Sequence, residues 1–190
     1  MKESDIDNGE AVPDLDVDRA RSGEVDAFVS LIEQRQERMF RVAGAILGNR
    51  SDADDAIQEA LVSIWRELPR LRQVVQFEAW ADRILVNACR LVLRRRTRRW
   101  VREITPTASF NADLSSVTPS HDESVIARDT FGRAFESLDV DARALLVLRH
   151  LEGRSVADIA TVLSIPEGTV KSRLFTARRA LEAALGREAS

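Results

Sequence analysis

The chain has 190 residues, 44% of them hydrophobic and 31% charged, with a formal net charge of -3, a composition that folds as one domain or two small ones and excludes a disordered chain. One cysteine, Cys89, and two histidines, His121 and His150, exclude an internal disulfide and a zinc site of the usual kind, so no metal or cofactor is expected and Cys89 reads as core packing. No apolar run is long enough to cross a bilayer and no secretory leader opens the chain, so no membrane insertion is expected and the expected location is the cytoplasm.

Charge is segregated along the chain. The first eighteen residues carry seven acids, from Glu3 to Asp18, against Lys2 alone, whereas Arg90 to Arg102 carries seven arginines and no acid. The acidic average therefore hides a basic surface. Residues 1–14, polar and broken by Gly9 and Pro13, lack the apolar area needed to offset ordering entropy and are predicted to be a disordered tail.

A short helix is predicted from Leu15 to Ala20, ended by Ser22-Gly23, and a longer one from about Glu24 to Leu47 that buries Phe28, Leu31, Ile32, Met39, Val42, Ala43 and Ile46. Gly48 and Asn49 suit its exit. Ser51 and Asp54 read as a capping box for a third helix with the stripe Ala53, Ala56, Ile57, Ala60, Leu61, Ile64, Trp65 and Leu68, closed by Pro69. The helix dipole accounts for Asp52 and Asp54 on its early outward side, but Asp55, Gln58 and Glu59 lie further in than that field reaches.

After a looser stretch, Arg70 to Gln76, a fourth helix begins near Phe77 and runs through Trp80, Ile84, Leu85, Ala88 and Val92 into Arg94, Arg95, Arg96, Arg98, Arg99 and Arg102. So many guanidinium groups on one helix end repel one another unless a polyanion is near. Residues 103–123, rich in Ser, Thr, Pro and Asn without periodicity, are predicted to link helical domains at 15–102 and 124–190. Some twenty extended residues reach roughly 70 Å, comparable to about two turns of B-DNA.

The second domain opens near Ser124 with a helix using Val125, Phe131, Phe135 and Leu138, and Asp139 caps a helix carrying Leu145, Leu146 and Leu148, with Glu152-Gly153 as its exit. Ser155 and Asp158 fit a capping box for a short helix with Val156, Ile159, Ala160 and Leu163 inside. It ends by Ser164, and Pro166 opens a helix to about Leu185 whose inner stripe is Val170, Leu174, Ala177 and Leu181. Ser172, Phe175, Thr176 and Arg179 point the opposite way, flanked by Lys171 and Arg178 on one side and Arg173 on the other. Such a pair has the arrangement of a helix-turn-helix, whose second helix lies in the DNA major groove; a helical hairpin with a solvated charged face is the alternative. An aromatic such as Phe175 on the outer face needs a partner, for instance a thymine methyl. The predicted fold class is all-α: two small helical domains joined by a flexible linker, the C-terminal one a helix-turn-helix.

Three stretches in this order, SDADDAIQEALVSIW (51–65), FEAWADRILVNACRLVLRRR (77–96) and SLDVDARALLVLRHLEGRSVADIATVLSIPEGTVKSRLFTARRAL (137–181), resemble the extracytoplasmic-function sigma factors of bacterial RNA polymerase. The resemblance implies a promoter-specificity subunit with a region 2 domain at 15–102 and a region 4 domain at 124–190. It places Asp54, Asp55, Gln58 and Glu59 of the first stretch on the clamp helices of the polymerase's largest subunit. The second stretch is implied to read the -10 element and hold its melted strand, with Asn87 on a base edge, Phe77 and Trp80 as stacking walls and Arg83, Arg90, Arg94 and Arg95 as backbone cations. Trp80, at helical spacing with Ile84, equally suits the core.

The third stretch is implied to read the -35 element, with Thr169, Lys171, Ser172 and Arg173 toward DNA. Thr176 stands where many relatives carry a basic residue, which shifts weight to Lys171, Phe175 and Arg179. An anti-sigma protein is the further partner implied, and no small-molecule substrate is expected. A stand-alone operator-binding regulator is the alternative; such proteins dimerise on paired half-sites, yet the chain has no obvious dimerisation helix and its acidic third helix would have no role. An enzyme fits least, since neither His has a Cys or carboxylate partner at motif spacing and no glycine-rich phosphate loop is visible.

Overall fold

The computed structural model describes residues 14–103 and 123–188. The predicted tail lies outside the described residues except Asp14, and the predicted linker except Glu103 and Glu123; these three are helical. The first unit contains α1 (Asp14–Arg21), α2 (Val25–Leu47), α3 (Arg50–Glu67) and α4 (Phe77–Glu103). Their apolar stripes meet in a core that includes Leu31, Val42, Ile46, Ile64 and Leu85, as the periodicity requires.

Local chemistry sets the joints. Gly48 ends α2 with φ 79, a conformation open to glycine, and its N–H returns to the Gly44 carbonyl at 2.9 Å. Asn49 then caps α3, its side-chain oxygen accepting from the Asp52 N–H at 2.8 Å and its amide donating to the Asp52 carboxylate at 2.8 Å. The cap thus falls two residues before the predicted Ser51, because Asn49 is the extended residue next to the α2 exit. Trp65, predicted to be inside, is 38% exposed and lies edge-on to Phe28 with ring centroids 4.9 Å apart.

Arg35 interrupts the α2 stripe. Its side chain is buried, donates to Glu78 of α4 and to the Leu31 carbonyl, and lies 5.0 Å over the Phe77 ring. An ion pair and a cation–π contact thereby join α2 to the start of α4.

The second unit contains α5 (Glu123–Glu136), α6 (Val140–Leu146), a π-helical turn (Val147–Leu151), α7 (Val156–Leu163) and α8 (Glu167–Glu188). Asp139 caps α6, accepting from the Ala142 N–H at 2.8 Å, and Ser155 and Asp158 form the predicted capping box of α7. The π turn was not expected; it is closed by the Glu152 N–H on the Val147 carbonyl at 3.1 Å. At the α7–α8 corner Ser164 takes φ 54, and the Pro166 carbonyl accepts from Thr169 and Val170, so α8 opens one residue later than predicted. Leu145, Leu148, Ile159, Val162, Val170 and Leu174 form the core of this unit. Phe131, predicted to be buried, is 49% exposed and stacks on Phe135.

The two units are in contact. Helices α6 and α7 lie against α2 and α4, and Glu136 sits so close to Gly48 that a Cβ there would fall 2.5 Å from its carboxylate oxygen.

Candidate nucleic-acid interface

Trp80, Arg83, Asn87, Arg90 and Arg94 recur on α4 at spacings of three and four, so they share one side of the helix. Asn87 and Arg94 are exposed, while Trp80, Arg83 and Arg90 are half-buried. Phe77 belongs elsewhere: it is 2% exposed inside the core, under Arg35, and presents no wall to a strand. The first turn of α4 is covered by α2, which the spacing of aromatics alone does not reveal.

Trp80 and Arg83 line a cleft of about 610 Å³ together with Arg66, Arg70, Arg72 and Gln76. The cleft sets one indole among four guanidinium groups, with the Glu67 carboxylate also on its wall; aromatic faces and cations together suit an unstacked nucleotide. Sequence reading missed Arg66, Arg70, Arg72 and Gln76, because the stretch that carries most of them reads as an irregular connection; its one signal is the density of cations in RELPRLR.

Several predicted cations have protein partners. Arg83 donates to the Ser164 hydroxyl at 3.1 Å, and Arg90 donates to Asp141 at 2.6 Å and to the Asn87 side-chain oxygen at 2.8 Å. Arg95 pairs with Glu59, and the neighbouring Arg96 with Asp52 at 2.9 Å. On α3, Asp55 and Gln58 are exposed while Asp54 and Glu59 are half-buried, so the acidic face is present with one carboxylate already engaged.

On α8 the buried residues are Val170, Leu174, Ala177 and Ala184, with the predicted Leu181 half-buried, which turns Lys171, Ser172, Arg173, Phe175, Thr176 and Arg179 to solvent, with Thr169 half-buried at the first turn. Phe175 is 62% exposed, with the Arg179 guanidinium 5.8 Å above its ring. The Ser172 and Thr176 hydroxyls donate back to the Thr169 and Ser172 carbonyls, leaving their oxygens to accept from outside. The Ser155 hydroxyl and N–H hold the Asp158 carboxyl below its ordinary value, which fixes the α7 end of the motif. Burial pushes the Cys89 thiol up to about 12, so it stays protonated in the core. Among the described residues there is no cluster of side chains suited to a metal ion and no helix long and apolar enough to cross a membrane.

An exposed cationic recognition helix on one unit and a guanidinium-lined cleft beside an arginine-rich helix on the other define a two-headed helical DNA-binding protein. Residues 31–99 match the family model described as Sigma-70 region 2, and residues 128–181 match that described as Sigma-70, region 4. The RNA polymerase sigma-H factor of Pseudomonas aeruginosa is 32% identical over 176 residues, spanning 89% of this chain and 91% of that protein. The ECF RNA polymerase sigma factor SigM of Mycobacterium tuberculosis is 35% identical over 167 residues, spanning 87% of this chain and 80% of that protein. The chain belongs to the extracytoplasmic-function sigma factors. Among solved structures, the sigma factor RpoE in complex with the anti-sigma factor NepR from Bartonella quintana superposes with a TM-score of 0.63 at 22% identity, over 85% of this chain and 98% of that one, and so shares the fold.

Proposed function

We propose that this sigma factor divides promoter reading between the outer face of α8, on the -35 element, and the Trp80 side of α4, on the melted -10 strand. The observation that supports this division most is the cleft, where Trp80 stands among Arg66, Arg70, Arg72 and Arg83: the cations meet phosphates and the indole stacks on an extruded base, worth about 1–3 kcal/mol per base. Asn87, exposed along the same side of α4, supplies an amide for the base edge once Arg90 is drawn to phosphate. Lys171, Ser172, Arg173 and Phe175 meet bases and Arg179 meets phosphate, with Thr169 and Thr176 at the margins.

Asp54, Asp55, Gln58 and Glu59 dock on the clamp helices of the polymerase's largest subunit, with Asp55 and Gln58 leading because they are the exposed pair. The chain acts by binding and not as an enzyme, and it works in the cytoplasm, where the polymerase is. An anti-sigma protein is its regulatory partner; a relative of the same fold was solved in such a complex.

Gel filtration with core polymerase tests the docking face. The wild-type chain co-elutes with core, and the Asp55→Ala, Gln58→Ala double variant does not, while its helical circular dichroism is unchanged because both side chains lie outside the core. A wild-type chain that elutes apart from core, as a dimer binding paired duplex half-sites, would favour the operator-binding alternative.

A further inference from the structure

Among the described residues the most exposed large apolar side chain is Val75, at 81%. It stands on a single 3₁₀ turn, Val74–Gln76, in the connection between α3 and α4. Isolated surface valines are ordinary, but the setting of this one is not. Gln76, the next residue, lies on the wall of the Trp80 cleft, and so do Arg70 and Arg72 of the same connection. An apolar tip therefore stands beside the cations and the indole assigned above to the melted strand.

The turn is a rigid mount. The Gln76 N–H donates to the Gln73 carbonyl at 3.1 Å, and the Leu71 N–H to the Leu68 carbonyl at 3.0 Å. Arg21 of α1 donates to the Leu71 carbonyl at 3.2 Å, and α1 and α4 both pack against the turn. Val74 is half-buried against the core and Phe77 is buried in it, so the turn is anchored on either side of Val75. Two methyl groups on Cβ leave the Val75 side chain few rotamers. Facing water, it adds nothing to the core, so the fold itself does not call for a valine at this position.

We propose that Val75 is a wedge: it enters the stack at the step beside the extruded base and keeps the strands from closing. An extruded base leaves a gap in the duplex and uncovers the apolar face of its neighbour. An apolar side chain fills such a gap, as in proteins that unstack a base step with one. In the closed duplex no gap exists and Val75 stays in water, so its burial stabilises only the opened state. Its contribution therefore falls on strand opening, not on closed binding or on the identity of the base. The proposal rests on the assignment of the cleft to the melted -10 strand and divides the work there: Trp80 takes the base, and Val75 takes the place the base has left.

The test uses core polymerase with the full chain, on a promoter from which the wild-type chain initiates. A fluorescent adenine analogue in the -10 region brightens as it unstacks and gives the opening rate. A second template, mismatched over that region, supplies the opening in advance. Val75→Ser removes the apolar wedge, and Val75→Leu keeps one. The expected result for Val75→Ser is opening about tenfold slower on the duplex, the size of losing one small apolar side chain from a buried site, with transcription from the mismatched template unchanged. Val75→Leu should stay close to wild type on both. Co-elution with core and the melting temperature should be unchanged in both variants, because the side chain lies outside the core. Wild-type opening on the duplex by Val75→Ser would overturn the wedge and leave the cleft assignment standing. Equal losses on the two templates would also overturn it, making Val75 a reader of the strand, and so would weakened co-elution, making it a polymerase contact. Trp80→Ala tests the cleft itself: it should lose activity on both templates, and if it matches wild type on both, the cleft assignment fails and the wedge with it.

Discussion

Arg35 carries a charge at a position that helical spacing assigns to the core, and its value depends on which partner is lost. Its side chain is 7% exposed and that of Glu78 is 42% exposed. Removing Glu78 strands a buried cation, whereas removing Arg35 leaves a carboxylate that water can reach. Glu78→Ala should therefore cost about 3 kcal/mol and Arg35→Met, which refills the site with apolar volume, about 1 kcal/mol or less; urea unfolding of the two variants measures the order, and the reverse order would refute the reading. Asn87 gives the opposite case. It is exposed and accepts only from Arg90 among the described residues, so Asn87→Ala should leave the unfolding free energy within about 0.5 kcal/mol of wild type. The same variant should slow promoter opening, and a template already mismatched over the -10 region should recover part of that rate while keeping the lost base preference of about 1–3 kcal/mol. A lowered melting temperature with equal defects on both templates would assign Asn87 to the fold.

Helices α7 and α8 form one element, and the capping box that opens α7 gives it a pH dependence. The Asp158 carboxyl is held below its ordinary value by the Ser155 hydroxyl and N–H, so the box contributes stability that is present above the unfolded pKa, near about 4, and is lost as pH falls through the folded value. Asp158→Asn should flatten the unfolding free energy against pH in that acid window relative to wild type, and Ser155→Ala should cost about 1 kcal/mol at neutral pH. Along α8, Lys171 stands at the exposed start and Arg179 two turns later over Phe175. Lys171→Ala should relax preference at one -35 position by about 1–3 kcal/mol. Arg179→Ala should weaken all promoters alike and reduce the salt slope by about one contact. Equal loss of preference in both, with no change of slope, would reverse the assumed orientation of α8 in the groove. The periods of α2, α3 and α8 were legible because each is a local repeat of apolar residues. The Asn49 cap was missed because the Ser51-to-Asp54 spacing imitates a box two residues late, and the π turn because no residue type marks it.

Long-range assembly was the part least written in local pattern. The cleft draws Arg66 from α3, Arg70 and Arg72 from the connection and Trp80 and Arg83 from α4, and no spacing rule joins those positions. Arg38 and Glu152 meet across 114 residues of sequence; each alone reads as a solvated charge. Phe77 failed as a wall for the same reason, since its cover comes from Arg35 on another helix. Local pattern carried the exposed cationic face of α8 and the arginine run of α4, and the resemblance to the sigma factors is what makes them two promoter-reading faces of one chain; that proposed division is the central claim. Single-round transcription from a randomised promoter library, with core polymerase alone and with core plus this chain, tests it most directly. The prediction is a chain-dependent set of transcripts whose promoters share two separate motifs, at -35 and at -10, with the -10 motif losing information in Asn87→Ala and the -35 motif in Lys171→Ala. Enrichment of a single palindromic site, bound equally well by the free chain without polymerase, would contradict the account.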